Sequence, residues 1–375
     1  MVLVREGFFA RNKLALILLL AGLVQVTAEV ALGGIDSFPD TESYFETVEW
    51  FKGGSEEVDL LRVQRPLQIL AVLPLEPLMG VEGAFAFTNC LLYLMFIPFF
   101  FSFSKKLLKN EFAAFVSTFL FQFSFCVLYW GLALLTDMLL WLMIAISFDL
   151  LFDVKDRWMT WDMVKLSLVV GIGMLNKESI IIVAFVFMFL FLKREFGAAV
   201  GRSGKWMPFV GSLALMALPF LIVQLSMLAY FGPGSTFFDF HVTHKSDDPR
   251  GELWYIPIAF LIAFNCMLLF YLYEIKRFTR ENSFLDAREY IVSLALACLP
   301  ILVFEQYSPR LSFLLFPFVI PVAAMLLSRM AAFGSGHKLR LALVLLFLLL
   351  YASANNAIAI YGDELRELFG IWSRS

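Results

Sequence analysis

Short polar stretches divide the chain into about eleven long apolar segments, more than one soluble core can bury. With 61% hydrophobic residues and a mean hydropathy of +0.81, the solvent for most of this surface must be lipid. In hydrocarbon every backbone polar group must be satisfied within the protein, so only helices or closed barrels cross. The runs are near-continuous in Leu, Phe, Val, Ala and Met and do not alternate, which selects helices. The expected segments are 13–32, 84–103, 112–130, 133–152, 163–175, 178–192, 207–231, 252–273, 289–304, 310–330 and 338–358. Of these, 163–175 and 178–192 are short and could form a hairpin that only partly crosses.

The charges between segments separate by side. One set of loops carries Arg5, Arg11, Lys13, Lys105, Lys106 and Lys109, then Lys155, Arg157, Lys165 and the basic residues near 193–205, 276–288 and 329–340. That set holds 20 of the 29 Lys and Arg residues, so the positive-inside rule places it in the cytoplasm, with the N-terminus in and the C-terminus out. The start of the chain also has the outline of a cleavable signal peptide, ending at Val26-Thr27-Ala28, but its run is long enough to span. All four cysteines lie inside apolar runs, which predicts buried packing and no disulfides. A net charge of −3 says little about partners, and no nucleic-acid partner is expected. No repeat or soluble domain is evident, and residues 1–375 read as one membrane domain.

The external loop at 33–83 departs from this generic pattern. Asp40 or Thr41 would cap an amphipathic surface helix carrying Tyr44, Val48 and Phe51, ended by Gly53-Gly54. Arg65-Pro66-Leu67 would open a second, since Pro suits a first helical turn, and Pro74 and Pro77 would break it.

A first span, an outer loop with Asp40-x-x-x-Tyr44, a Gly-Gly stop, Arg-Pro-Leu and many later spans together resemble the GT-C superfamily of membrane glycosyltransferases. Thr136-Asp137, the turn Gly171-x-Gly173 followed by Lys177-Glu178, and the helix start Arg310-Leu311-x-Phe313 through Pro317 fit the same pattern over about 36–325. The resemblance includes protein O-mannosyltransferases and aminoarabinose transferases. It implies a polyprenyl- or dolichyl-phosphate-linked sugar donor and an inverting transfer outside the cytoplasm, at the cell membrane.

The residue types suit that chemistry. A lipid phosphate needs no general acid as leaving group but does need cations to hold its developing charge, and Arg does so with a planar fork. Arg65, Lys177 and Arg310 are the candidates, with Arg62 in reserve. The acceptor hydroxyl needs a base. The resemblance points to Asp40, ahead of Asp36 and Glu42, and Tyr44, Asp137 and Glu178 would form the surrounding polar network. Asp40 and Asp137 also have the simpler reading of helix caps, and Lys177-Glu178 that of an ordinary polar turn. In the loop 232–251, His241 and His244 stand beside Asp247 and Asp248 and could position sugar or acceptor. The metal is left undecided, a divalent cation included, because a third ligand has no diagnostic spacing. Glu305, Gln306 and Tyr307 precede Arg310 and read as helix-end anchors or as orienting groups for it. The acceptor could be lipid, glycan or protein. Two other classes share these features: a secondary transporter, against which stand the one-sided charges and the absence of repeated halves, and a non-catalytic lipid-binding scaffold.

Overall fold

A computed structural model describes residues 13–32, 35, 37–54, 58–197, 205–236, 255–282, 285–303, 308–332 and 336–369. Among these residues there are helices and connecting turns but no strand. The chain begins with α1 (Lys13–Leu32), followed by the loop helices α2 (Pro39–Phe51), α3 (Leu60–Val63) and α4 (Pro66–Val72). The long α5 (Glu76–Leu108) turns into α6 (Glu111–Gln122), and α7 (Asp137–Arg157), α8 (Thr160–Met174) and α9 (Ile181–Gly197) follow. The last elements are α10 (Trp206–Phe231), α11 (Tyr255–Phe264), α12 (Cys266–Glu281), α13 (Ala287–Val303), the single turn α14 (Pro309–Ser312), α15 (Phe316–Ala332) and α16 (His337–Phe369).

Among the described residues a helix overlaps each expected segment, but the helices are not equivalent. Five among the described residues are long and apolar enough to cross a bilayer: 13–31, 76–108, 206–231, 309–332 and 337–361. The α11–α12 pair would be a sixth, yet it bends by 95° at Asn265. The expected straight segment 252–273 is therefore broken, by a residue that tolerates its left-handed φ of 40°. The expected segment 112–130 also fails as one helix, because α6 stops at Gln122 and the chain runs through a wide turn at Val127–Gly131 and an unwound stretch to Thr136. Gly131 is needed there: a Cβ would lie 2.8 Å from Cζ3 of the buried Trp141.

The run 309–332 is the core of the bundle, with 83% of its apolar window buried against 22–50% for the other four. Aromatic rings surround its first turns. Phe121 stands 4.8 Å from Phe316 and 5.4 Å from Phe313, and stacks on Phe96 at 3.8 Å. Offset and edge-on ring contacts of this kind add about 0.5–1.5 kcal/mol each beyond area burial. Gly171 allows α8 to approach α10 closely: a Cβ there would meet the carbonyl oxygens of Leu215 and Met216 at 3.0 and 3.1 Å.

The bundle sorts its charges to two ends. At one, Lys106 pairs with Asp149 and Asp153, Lys155 and Lys193 with Glu289, and Arg329 with Glu281. At the other, α2 and α4 form a lid that buries Tyr44, Val48, Ile69 and Val72 against Phe85 and Leu134. The four cysteines are free thiols, with only Cys126 fully buried.

Candidate active site

The helix α2 does not begin as the sequence suggests. Phe38 is its cap residue, Pro39 sits in the first turn, and Thr41 Oγ1 accepts the Phe38 N–H at 2.8 Å. This corrects the assignment of the cap to Asp40 or Thr41. Asp40 is released from capping, and its carboxylate lies instead between two guanidiniums: Oδ1 is 3.1 Å from Arg62 Nη2, and Oδ2 is 3.4 Å from Arg310 Nη1. Asp137 likewise starts α7 without serving as its cap. Its side chain, 3% exposed, receives Lys177 Nζ on Oδ1 at 2.7 Å and both Nε and Nη2 of Arg310 on Oδ2 at 2.6 Å. A continuous series of alternating charge results: Arg62, Asp40, Arg310, Asp137, Lys177.

Each member is delivered by a different local device. Ser308 caps α14 by accepting the Leu311 N–H, which starts the helix carrying Arg310. The carbonyl of Gly173 accepts the N–H groups of Asn176 and Lys177, folding the end of α8 so that Lys177 turns inward. Burial and the nearby Arg310 push Lys177 down to about 8, against the pull of Asp137. Glu178 grips Arg65 through two parallel contacts, Nη2–Oε1 at 2.6 Å and Nε–Oε2 at 3.1 Å. Leu67 N–H donates to the Leu175 carbonyl at 3.1 Å, tying the start of α4 to the same turn.

Tyr44 lies beneath the series, fully buried. Its hydroxyl accepts from Arg62 Nη1 at 3.0 Å and shares a hydrogen bond with Thr136 Oγ1 at 3.0 Å, while the Arg62 guanidinium stacks 4.4 Å from its ring centre. Arg62, held in reserve on sequence grounds, is therefore as central as Arg310.

The structure of ArnT from Cupriavidus metallidurans bound to undecaprenyl phosphate matches this one with a TM-score of 0.60, covering 94% of this chain and 72% of that chain at 14% sequence identity. The fold is that of ArnT. No family model and no curated protein sequence matches the chain. The likeness is one of fold: among the described residues both the all-helical architecture and the five or six helices long and apolar enough to cross a membrane suit an ArnT-like polytopic bundle.

Within this ArnT-like frame the sequence missed one set of residues. The unwound stretch before Asp137 lacks a regular helical ladder, and four side chains from different parts of the chain reach its carbonyls. Thr41 Oγ1 donates to Leu134 O, Gln68 Nε2 to Leu135 O, Asn89 Nδ2 to Ala133 O and Leu135 O, and Asn176 Nδ2 to Thr136 O. Gln68 and Asn89 also bond to each other at 2.8 Å. Their only sequence signal is polarity inside apolar runs.

His241, His244, Asp36 and Glu305 lie outside the described residues. Among the described residues no group of three or more His, Cys, Asp or Glu could hold a metal ion. Asp40 and Asp137 face guanidinium and ammonium groups here, not each other.

Proposed function

We propose that the protein transfers a sugar from a polyprenyl-phosphate donor to an acceptor hydroxyl on the extracytoplasmic side of the membrane. The observation that carries this reading is the placement of Asp40, the most exposed carboxylate of the series at 43%, beside the buried Arg62 and the half-buried Arg310. ArnT, whose fold the chain shares, binds undecaprenyl phosphate, and Arg310, Lys177 and Arg65 are the groups suited to hold such a phosphate here. In the reaction the acceptor oxygen attacks the anomeric carbon, its proton passes to the Asp40 carboxylate, and the bond from that carbon to the phosphate oxygen breaks. Its electron pair leaves with the lipid phosphate, and the anomeric centre inverts. Arg62 and Tyr44 orient Asp40, and Asp137 and Glu178 hold the cations in register. The eleven crossings, and the N-in, C-out orientation that turns this end outward, belong to the same reading.

The test uses purified protein in nanodiscs and radiolabelled polyprenyl-phosphate-hexose and -pentose donors. Sugar release or transfer that is lost in Asp40→Asn, with donor binding kept, supports the reading. Normal turnover in that variant removes Asp40 from the role. A second reading, a lipid-binding scaffold, draws on the two arginines that flank Asp40: the carboxylate then serves only as their counter-ion. It predicts donor binding without turnover by the wild type.

A further inference from the structure

The end of the bundle opposite the candidate site carries a second charged site that sugar transfer does not use. Arg310 and Arg329 stand at the two ends of one helical run, about 28 Å apart at 1.5 Å per residue. That is close to the thickness of a hydrocarbon core, ~30 Å. Around Arg329 the ends of α12, α15 and the start of α16 enclose an open cavity of about 600 Å³. Its wall holds five cations, Lys276, Arg277, Arg280, Arg329 and Arg340, against two carboxylates, Glu274 and Glu281.

The two kinds of charge have different work. Glu274 is 1% exposed and pairs with Arg329, which also reaches Glu281 at 2.6 Å, so the acids set the floor of the cavity and lock two helices together. Arg277 closes on Glu281 at 2.9 Å. Lys276, Arg280 and Arg340 are exposed at its rim, and among the described residues neither Lys276 nor Arg280 forms an ion pair. The chain as a whole is acidic, with a net charge of −3, so this excess of cations is local.

The surroundings specify an amphiphile. Leu326 and Met330 share the cavity wall with the cations. Two large apolar side chains of the wall stand exposed, Tyr273 at 77% and Met330 at 52%. Leu272 and Leu339, chain neighbours of the wall residues Tyr273 and Arg340 on α12 and α16, are exposed at 60% and 66%. A soluble polyanion would leave that rim in water, whereas a lipid covers it with acyl chain while its phosphate enters the basic cavity. We infer that this cavity binds the headgroup of an anionic glycerophospholipid of the leaflet opposite the sugar-transfer site. Basic pockets between transmembrane helices on the cytoplasmic side take such headgroups. The inference rests on the fold and the cavity, and its readout is independent of any transferase activity.

The test is native mass spectrometry of the full-length protein released from nanodiscs of phosphatidylcholine mixed with phosphatidylglycerol. The expected result is one phosphatidylglycerol retained in preference to phosphatidylcholine, and at least a tenfold loss of that preference in the triple variant Lys276→Gln, Arg280→Gln, Arg340→Gln. The single variant Arg280→Gln, which leaves the Glu274–Arg329 floor intact, should lose part of it and guards against misfolding of the triple. Equal retention of the two lipids, or undiminished preference in a folded triple variant, overturns the proposal. Displacement of the lipid by millimolar inorganic phosphate overturns it too, since the site would then recognise free phosphate.

Discussion

Both Nε and Nη2 of Arg310 lie 2.6 Å from Oδ2 of Asp137, and Lys177 takes the other oxygen at 2.7 Å, so the most buried carboxylate of the site has a cation on each oxygen. With its own charge matched twice, Asp137 is a poor candidate for proton transfer. Arg310 extends past it to Asp40, which couples the buried counter-ion to the exposed carboxylate. The site is therefore one electrostatic unit, and changes at one member should register at the others.

Replacing Asp40 with Asn should lower transfer by about 10²–10⁴-fold, the usual contribution of a general base, while leaving donor affinity within a few-fold of wild type. Turnover and filter-binding assays with the same labelled donor separate the two effects. Asp40→Glu, which keeps the carboxylate but moves it by one methylene, should recover part of the rate.

Removing Arg310 with Gln strands Asp137 with a single cation, and breaking a buried pair in this way costs about 3–5 kcal/mol. The measurable results are a lower melting temperature in detergent and weaker donor binding. Arg310→Lys keeps the charge but cannot span Asp137 and Asp40 with one planar fork, so it should restore stability more than it restores binding.

Lys177 gives the site a pH dependence. Burial and the nearby Arg310 lower its pKa to about 8, and a bound phosphate should hold its proton on. Donor affinity should be level below about pH 7.5 and fall by up to tenfold per unit above pH 8. Lys177→Arg should remove the inflection. The stability effect has the opposite trend: the folded value lies below the ordinary 10.5, so the unfolded chain binds the extra proton between the two, and stability rises from about pH 8 towards 10.5. A melting series of wild type against Lys177→Arg over that range tests it.

Asn89 and Gln68 satisfy carbonyls that have no helical partner. Asn89→Leu should remove one donor from each of the Ala133 and Leu135 carbonyls and the acceptor of Gln68 Nε2, at a cost of about 1–3 kcal/mol, and let the stretch before Asp137 relax. The expected outcome is a lower melting temperature with a larger loss in transfer rate than in donor binding. An unchanged melting temperature would show that these side-chain amides do not hold Asp137 in place.

Gly171→Val should push α8 away from α10, because even a Cβ would meet two backbone carbonyls at 3.0–3.1 Å. Since α8 ends in the turn that carries Lys177, the variant should lose both stability and donor affinity, read by melting and binding together.

Much of this protein was legible in the order of its residues. The apolar runs alone required a helical membrane bundle, because lipid offers the backbone no hydrogen bonds and each run contains its own. The Gly53 stop of α2 and the Pro66 start of α4 were readable for the same local reason, since both are set by the backbone freedom of single residues. The order of motifs pointed to Asp40, Arg65, Asp137, Lys177, Glu178 and Arg310 before any of them could be placed. Tertiary structure decided what lies between those motifs. That Asp40 faces Arg62 and Arg310, across 22 and 270 positions of chain, follows from how α2, α3 and α14 meet. The bend at Asn265 and the unwinding after Gln122 carry no proline signal, and they persist because distant amides and carbonyls pair across the bundle. Local chemistry specifies the elements. Only their packing fixes which charges are buried together, because ion pairing depends on distances in space that sequence separation does not encode.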